Sequence, residues 1–206
     1  LMWSLAGFNI KMIEWSPYAI AAGRSLVAVI LLAPMVLRKG FQKIDRYVIG
    51  GAICYAAFNY CFITSTTLTS SAIAIMMQYT APIYVALLSW LFLRERVGWA
   101  DIISVGFVFL GMIFFFLDSN SGGSVKGNIV SIFNGITFAG ISIFLRLQKD
   151  GNPALSMYLG NVISAVAGLP IMWNAGMPDT ISLLFLLLAG LLVAVSYTLY
   201  AKASTG

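Results

Sequence analysis

Eight long apolar runs follow one another along the chain, joined by short polar stretches. They lie at about 1–13, 17–37, 47–67, 70–93, 98–117, 127–147, 153–173 and 181–202. A helix that crosses a bilayer core needs roughly 20 residues. Most of the runs reach that length, and they are apolar all round rather than striped. In lipid only helices and closed barrels satisfy their own backbone, and barrel strands would be shorter and would alternate in polarity. The runs therefore predict an all-α integral membrane protein. The first run begins at Leu1 and stops by Glu14, too short to cross, so the expectation is a first helix cut at its N-terminus.

Charge agrees with this class. The chain of 206 residues carries 12 Lys+Arg and 7 Asp+Glu, 9% in all, against roughly 25% in soluble domains. The net charge of +5 punctuates apolar runs and forms no patch for nucleic acid. With no His, His-based metal sites and Ser–His–Asp triads are excluded. Cys54 and Cys61 sit seven apart on one run, about 10 Å of helical rise, too far for a disulfide.

The distribution of basic residues sets an expected orientation. With the N-terminus in the cytoplasm, the inner face receives Arg38, Lys39, Lys43, Arg46, Arg94, Arg96, Arg146, Lys149 and Lys202, and the outer face only Lys126. That is a strong positive-inside asymmetry. The outer face also collects Glu14, Asp118 and Asp179.

The chain repeats itself weakly. Pro17 and Pro34 recur as Pro153 and Pro170; Ala6-Gly7-Phe8-Asn9-Ile10 resembles Ala139-Gly140-Ile141-Ser142-Ile143; Tyr60 falls near Tyr197, all at an offset of 133–137. The expected division is a first five-span repeat at 1–118, a linker loop at 119–126 and a second repeat at 127–206 with three spans. An odd number of spans per unit inverts the second copy in the membrane. Two further spans are then expected in a ten-span parent.

The fourth span and its exit read Ser71-Ala72-Ile73-Ala74-Ile75-Met76-Met77-Gln78-Tyr79-Thr80-Ala81-Pro82, then Leu91-Phe92-Leu93-Arg94-Glu95-Arg96. With Trp3 and Lys11 on the first span, Pro17 and Arg24 on the second, and Gly106 and Gly111 on the fifth, the chain resembles the EamA-type family of the drug/metabolite transporter superfamily. The resemblance implies ten helices in two inverted five-helix repeats around a central cavity, in a plasma membrane such as the bacterial inner membrane. It also implies movement of small metabolites, and Glu95 resembles the family's acidic residue at that span end.

Several residues are candidates for the cavity, each with a structural alternative. Pro82 removes a helical bond and clashes with the carbonyl of Gln78, which either opens a polar face with Gln78 and Tyr79 or makes a kink satisfied by neighbouring helices. Asn59 and Asn134 fit interhelical hydrogen bonding as well as substrate contact. Tyr55, Tyr60 and Tyr197 fit a cavity wall or an interfacial belt. Arg24 lies about 10 Å inside its span, a costly place for a charge. It is expected to pair with Glu14 or to face the external mouth. Lys11 is placed to snorkel or to meet an anionic solute, and Glu95 to latch the inner face or to sit in solvent. Small residues recur every fourth position at Gly127, Ser131, Gly135 and Ala139, at Ser156, Gly160, Ser164 and Gly168, and at Gly190, Ala194 and Thr198, a pattern for close helix packing.

A membrane enzyme would need convergent acids, His or a metal cluster in the spans; the sequence offers none, nor a cofactor motif. The expectation is a secondary transporter that moves amino acids or similar neutral, zwitterionic or amphipathic solutes outward by alternating access. Its partners are the lipid bilayer and its small-molecule substrate. No Asp or Glu lies deep in a span, so proton coupling would use an interface group or the absent helices. The alternative is a non-transporting membrane receptor or assembly protein.

Overall fold

The joints between the apolar runs carry the residues that start helices. Asp45 accepts from the backbone N–H groups of Tyr47 and Val48 at 3.0 and 2.8 Å. Ser70 accepts from Ile73 N–H, Ser124 from Gly127 N–H, and Ser16, just before Pro17, from Ala19 N–H. Each hydroxyl or carboxylate satisfies an N–H that the first helical turn leaves open. Gly176, at φ +70°, ends a helix in the left-handed conformation.

The computed structural model describes residues 4–38, 44–93, 98–118, 124–148 and 153–203, with side chains except at 4–6, 37, 93, 101, 112, 115–118, 153, 197, 198 and 200–203. All regular structure among these residues is helical. The helices are α1 (Ser4–Lys11), α2 (Pro17–Arg38), α3 (Arg46–Leu68), α4 (Ser71–Gln78), α5 (Ala81–Leu88), α6 (Trp99–Asp118), α7 (Val125–Leu147), α8 (Pro153–Ala175) and α9 (Thr180–Ala203). A π-helical turn, Ser89–Leu93, continues α5. Among the described residues five stretches are long and apolar enough to cross a membrane: Pro17–Val36, Arg46–Leu68, Ser71–Phe92, Val125–Leu147 and Ala154–Ala175. Shorter apolar stretches, Ile102–Gly111 and Thr180–Ser196, lie within α6 and α9.

The sequence pattern predicts one span at 70–93; the structure breaks it at Tyr79 and Thr80, with Pro82 in the first turn of α5. Proline has no N–H to offer Gln78 and its ring crowds that carbonyl, so α4 ends there. Tyr79 N–H turns back to the carbonyls of Ile75 and Met76, and Thr80 N–H to that of Met77.

The bundle centres on α2, α3 and α8. α2 packs on α8 and α9, α3 on α7 and α8, α1 on α9, and α4 and α5 on α7. Glycine permits the closest approaches. A Cβ at Gly160 would lie 2.5 Å from the Tyr55 ring, one at Gly168 2.3 Å from Ala22, and one at Gly190 2.5 Å from Val27. α6 stands at the edge against α5, and a Cβ at Gly106 or Gly111 would meet nothing within 4 Å among the described residues. Arg38, Arg46 and Arg146 gather at one end of the bundle, the basic end; Glu14 and Asp179 lie at the other.

Candidate functional site

A polar cluster sits where α2, α3, α8 and α9 meet. Arg24 is 5% exposed, and Ser25 and Asn59 are 0% exposed. The Arg24 guanidinium donates to Asn59 Oδ1. Asn59 Nδ2 donates to Ser25 Oγ at 2.9 Å and to the Ala21 carbonyl at 3.3 Å. The Asn59 amide is thus used on both sides, as a buried amide must be. Gly190 of α9 brings its backbone against this turn, since a Cβ there would lie 3.0 Å from the Arg24 carbonyl. One hydrogen bond of Arg24 goes to Asn59; the sequence expectation is a pair with Glu14 or a place at the external mouth. Glu14 is exposed, and its backbone N–H donates to Ser182 Oγ at 2.9 Å.

The polar side chains of α3 extend this cluster toward α8. Tyr60 donates to the Ser164 carbonyl at 2.7 Å. The Tyr55 hydroxyl lies 3.4 Å from Asn161 Oδ1, and Asn161 Nδ2 donates to the Met157 carbonyl at 2.9 Å. Aromatic rings fill the space around them: Tyr18 packs on Tyr60 with centroids 6.1 Å apart, and Phe58 on Phe138 at 5.3 Å. Arg24 and Asn59 thus tie α2 to α3, and Tyr55 and Tyr60 tie α3 to α8.

The other candidates lie apart. At the α4–α5 break Gln78 is half-buried, whereas Tyr79 is 58% exposed and Pro82 is exposed. Thr80, not Tyr79, turns toward the bundle: its hydroxyl donates to the Met77 carbonyl at 2.6 Å, and a Cβ at Gly135 of α7 would lie 2.8 Å from it. The neighbouring Asn134 is 0% exposed, and both amide atoms lack a hydrogen-bond partner among the described residues. Lys11 is exposed and donates to the Thr69 carbonyl at 2.8 Å, where a cation complements the C-terminus of α3. Glu95 and the Tyr197 side chain lie outside the described residues.

Sequence reasoning missed Ser25, Asn161, Ser164 and Gln148. The small-residue stripe through Gly160 and Ser164 was the available signal for the α8 members, because it marks the face that meets α3. Gln148, 5% exposed, lies between Arg146 and Lys149 and reads in sequence as part of a solvated helix end.

Comparison with known proteins adds to this geometry. The family model described as "EamA-like transporter family" matches residues 1–117. A protein of Archaeoglobus fulgidus named "Uncharacterized transporter" is 31% identical over 119 residues. The aligned stretch is 54% of this chain and 42% of that protein's length.

Proposed function

The chain belongs to the EamA-like transporter family, and on that premise we propose that it is part of a secondary transporter that exports amino acids or similar neutral, zwitterionic or amphipathic metabolites. The cluster around Arg24 and Asn59 carries the reading. An arginine at membrane depth costs about 2.5–3.5 kcal/mol on insertion scales, and intramembrane charge is retained where a solute path or a partner needs it. The cation and the Asn59 amide join α2 to α3, and the Tyr55 and Tyr60 hydroxyls on the same α3 join it to α8; this run of polar groups along α3 supports the reading. Such a set suits the carboxylate and polar groups of a small zwitterion better than a bulky anion.

Alternating access between two inverted repeats is part of the proposal, with 1–118 and 127–206 as the repeats and 119–126 as the linker. Exchanging α1, α2 and α3 for α7, α8 and α9 supports it. The α3–α7 contact becomes α9–α1, α3–α8 becomes α9–α2, and α2–α8 maps onto itself. All of these pairs pack. The break at Thr80 resembles the discontinuous helices that transporters use near their solute sites. The basic end faces the cytoplasm in this account, following the positive-inside rule.

The test is counterflow. The full-length protein in proteoliposomes preloaded with mixed amino acids is expected to accumulate a labelled neutral amino acid transiently, and excess unlabelled neutral amino acid should suppress it. Vesicles that exchange none of the amino acids, with the protein folded, would contradict the proposal.

A further inference from the structure

Two hydrogen-bonded crossings hold the two ends of the bundle. At the acidic end the backbone N–H of Glu14, in the α1–α2 loop, donates to Ser182 Oγ in the first turn of α9 at 2.9 Å. At the basic end Gln148 leaves α7 toward α8. Its Nε2 donates to the Tyr47 carbonyl, in the first turn of α3, at 3.1 Å. Its Oε1 accepts from Ser156 Oγ, in the first turn of α8, at 2.9 Å. Gly51 leaves room for the amide, since a Cβ there would lie 3.2 Å from Gln148 Nε2.

The crossings correspond to one another. Glu14 and Gln148 are 134 residues apart, and Tyr47 and Ser182 are 135 apart. The proline pairs Pro17 and Pro153, and Pro34 and Pro170, are 136 apart. In each case the loop after the first helix of one half grips the first turn of the third helix of the other half. One grip is at the acidic end and the other at the basic end. The atoms differ: a backbone donor meets a side-chain acceptor at Glu14, and a side-chain donor meets a backbone acceptor at Gln148. The shared feature is position in the fold.

We propose that these crossings are the two reciprocal gates of the bundle: Gln148 with Tyr47 and Ser156 closes the basic end, Glu14 with Ser182 closes the acidic end, and each half-cycle releases one of them. The inference rests on the alternating-access reading above. When the two halves rock about the α2–α8 contact, separation at one end stretches that end's crossing and spares the other. A hydrogen bond of ordinary strength is easily broken and remade in such a cycle, and its loss biases a two-state equilibrium toward the state that lacks it.

A native thiol reports the outcome. Cys54 lies seven residues beyond Tyr47 on α3, about 10 Å along the helix. It faces α7, for a Cβ at Gly140 would be 2.9 Å from its Sγ. In full-length protein in which every cysteine except Cys54 is replaced by serine, a membrane-impermeant maleimide is applied in turn to right-side-out and inside-out membranes. Gln148→Leu is expected to speed Cys54 labelling from the basic end by about five- to tenfold, the scale of one or two lost hydrogen bonds. Ser156→Ala, the milder change, should speed it by less, and Ser182→Ala should slow it. Unchanged labelling in both Gln148→Leu and Ser156→Ala, or faster labelling in all three variants, would overturn the gates. Labelling needs no solute, so the two readings separate. Shifted labelling without counterflow would leave the gates and overturn transport; counterflow with unshifted labelling would overturn the gates alone.

Discussion

The Arg24 guanidinium on α2 donates to the Asn59 side-chain oxygen on α3, and both residues are buried in the bundle. Asn59 returns its own donors to α2, at Ser25 and Ala21. The two helices are thus tied by a reciprocal set of bonds around one buried charge. Hydrogen bonds to charged groups contribute about 1.5–3 kcal/mol, and the energies of residues sharing a network do not add. Arg24→Gln and Asn59→Ala combined should therefore destabilise the protein by about 1–3 kcal/mol less than the sum of the single variants. Unfolding in detergent measures the cycle, and strict additivity would contradict the pairing.

Gly160 and Gly106 should respond oppositely to the same substitution. A Cβ at Gly160 meets the Tyr55 ring at 2.5 Å and the Ala52 carbonyl at 2.9 Å, and such overpacking costs about 1–3 kcal/mol. A Cβ at Gly106 meets nothing within 4 Å among the described residues, so alanine should be neutral or gain up to about 1 kcal/mol of helix propensity. Melting temperatures of Gly160→Ala and Gly106→Ala decide it; no loss in Gly160→Ala would contradict the close α3–α8 contact there.

Asp179 gives the acidic end a pH dependence. The Ser182 hydroxyl, followed by the backbone N–H groups of Ser182 and Ile181, holds its carboxyl below the ordinary aspartate range. A depressed carboxyl stabilises the fold above its unfolded value, and that stabilisation is lost as pH falls through the folded value. The melting advantage of wild type over Asp179→Ala should be present at neutral pH and should shrink as the solution is acidified below the usual aspartate range. An advantage that grows on acidification would reverse the sign of the account.

Lys11 is a helix cap in this structure. Lys11→Met removes the donor to the Thr69 carbonyl and should cost below about 1 kcal/mol, the range for an exposed cation at a helix C-terminus. Counterflow should persist. Abolished counterflow with unchanged stability would instead place Lys11 on the solute path.

The helices were legible because length and apolarity coincide in the runs; the caps at Asp45 before α3, Ser70 before α4 and Ser124 before α7 were seen only in the structure. The small-residue stripes were legible as contact faces, and Gly127, Gly135, Gly160, Gly168 and Gly190 all press against neighbouring atoms. Contacts between helices were harder to read. Arg24 stood out by depth, but whether it meets Glu14 or Asn59 depends on how α2 and α3 rotate against one another, which no local pattern encodes. Pro82 announced a break, yet the two-residue interruption at Tyr79 and Thr80 resets the face of the following helix. Thr80 then turns toward α7 and Tyr79 turns out. Gln148 escaped notice because its partners, Tyr47 and Ser156, belong to two other helices.

The most direct test of the account is counterflow of a labelled neutral amino acid by wild-type, Arg24→Gln and Asn59→Leu protein in matched proteoliposomes, with folding checked by melting in detergent. Transient accumulation by wild type and at least a tenfold loss in both folded variants is the predicted result. Accumulation at the wild-type rate in a folded Arg24→Gln protein would contradict the central claim that the Arg24–Asn59 cluster serves solute movement.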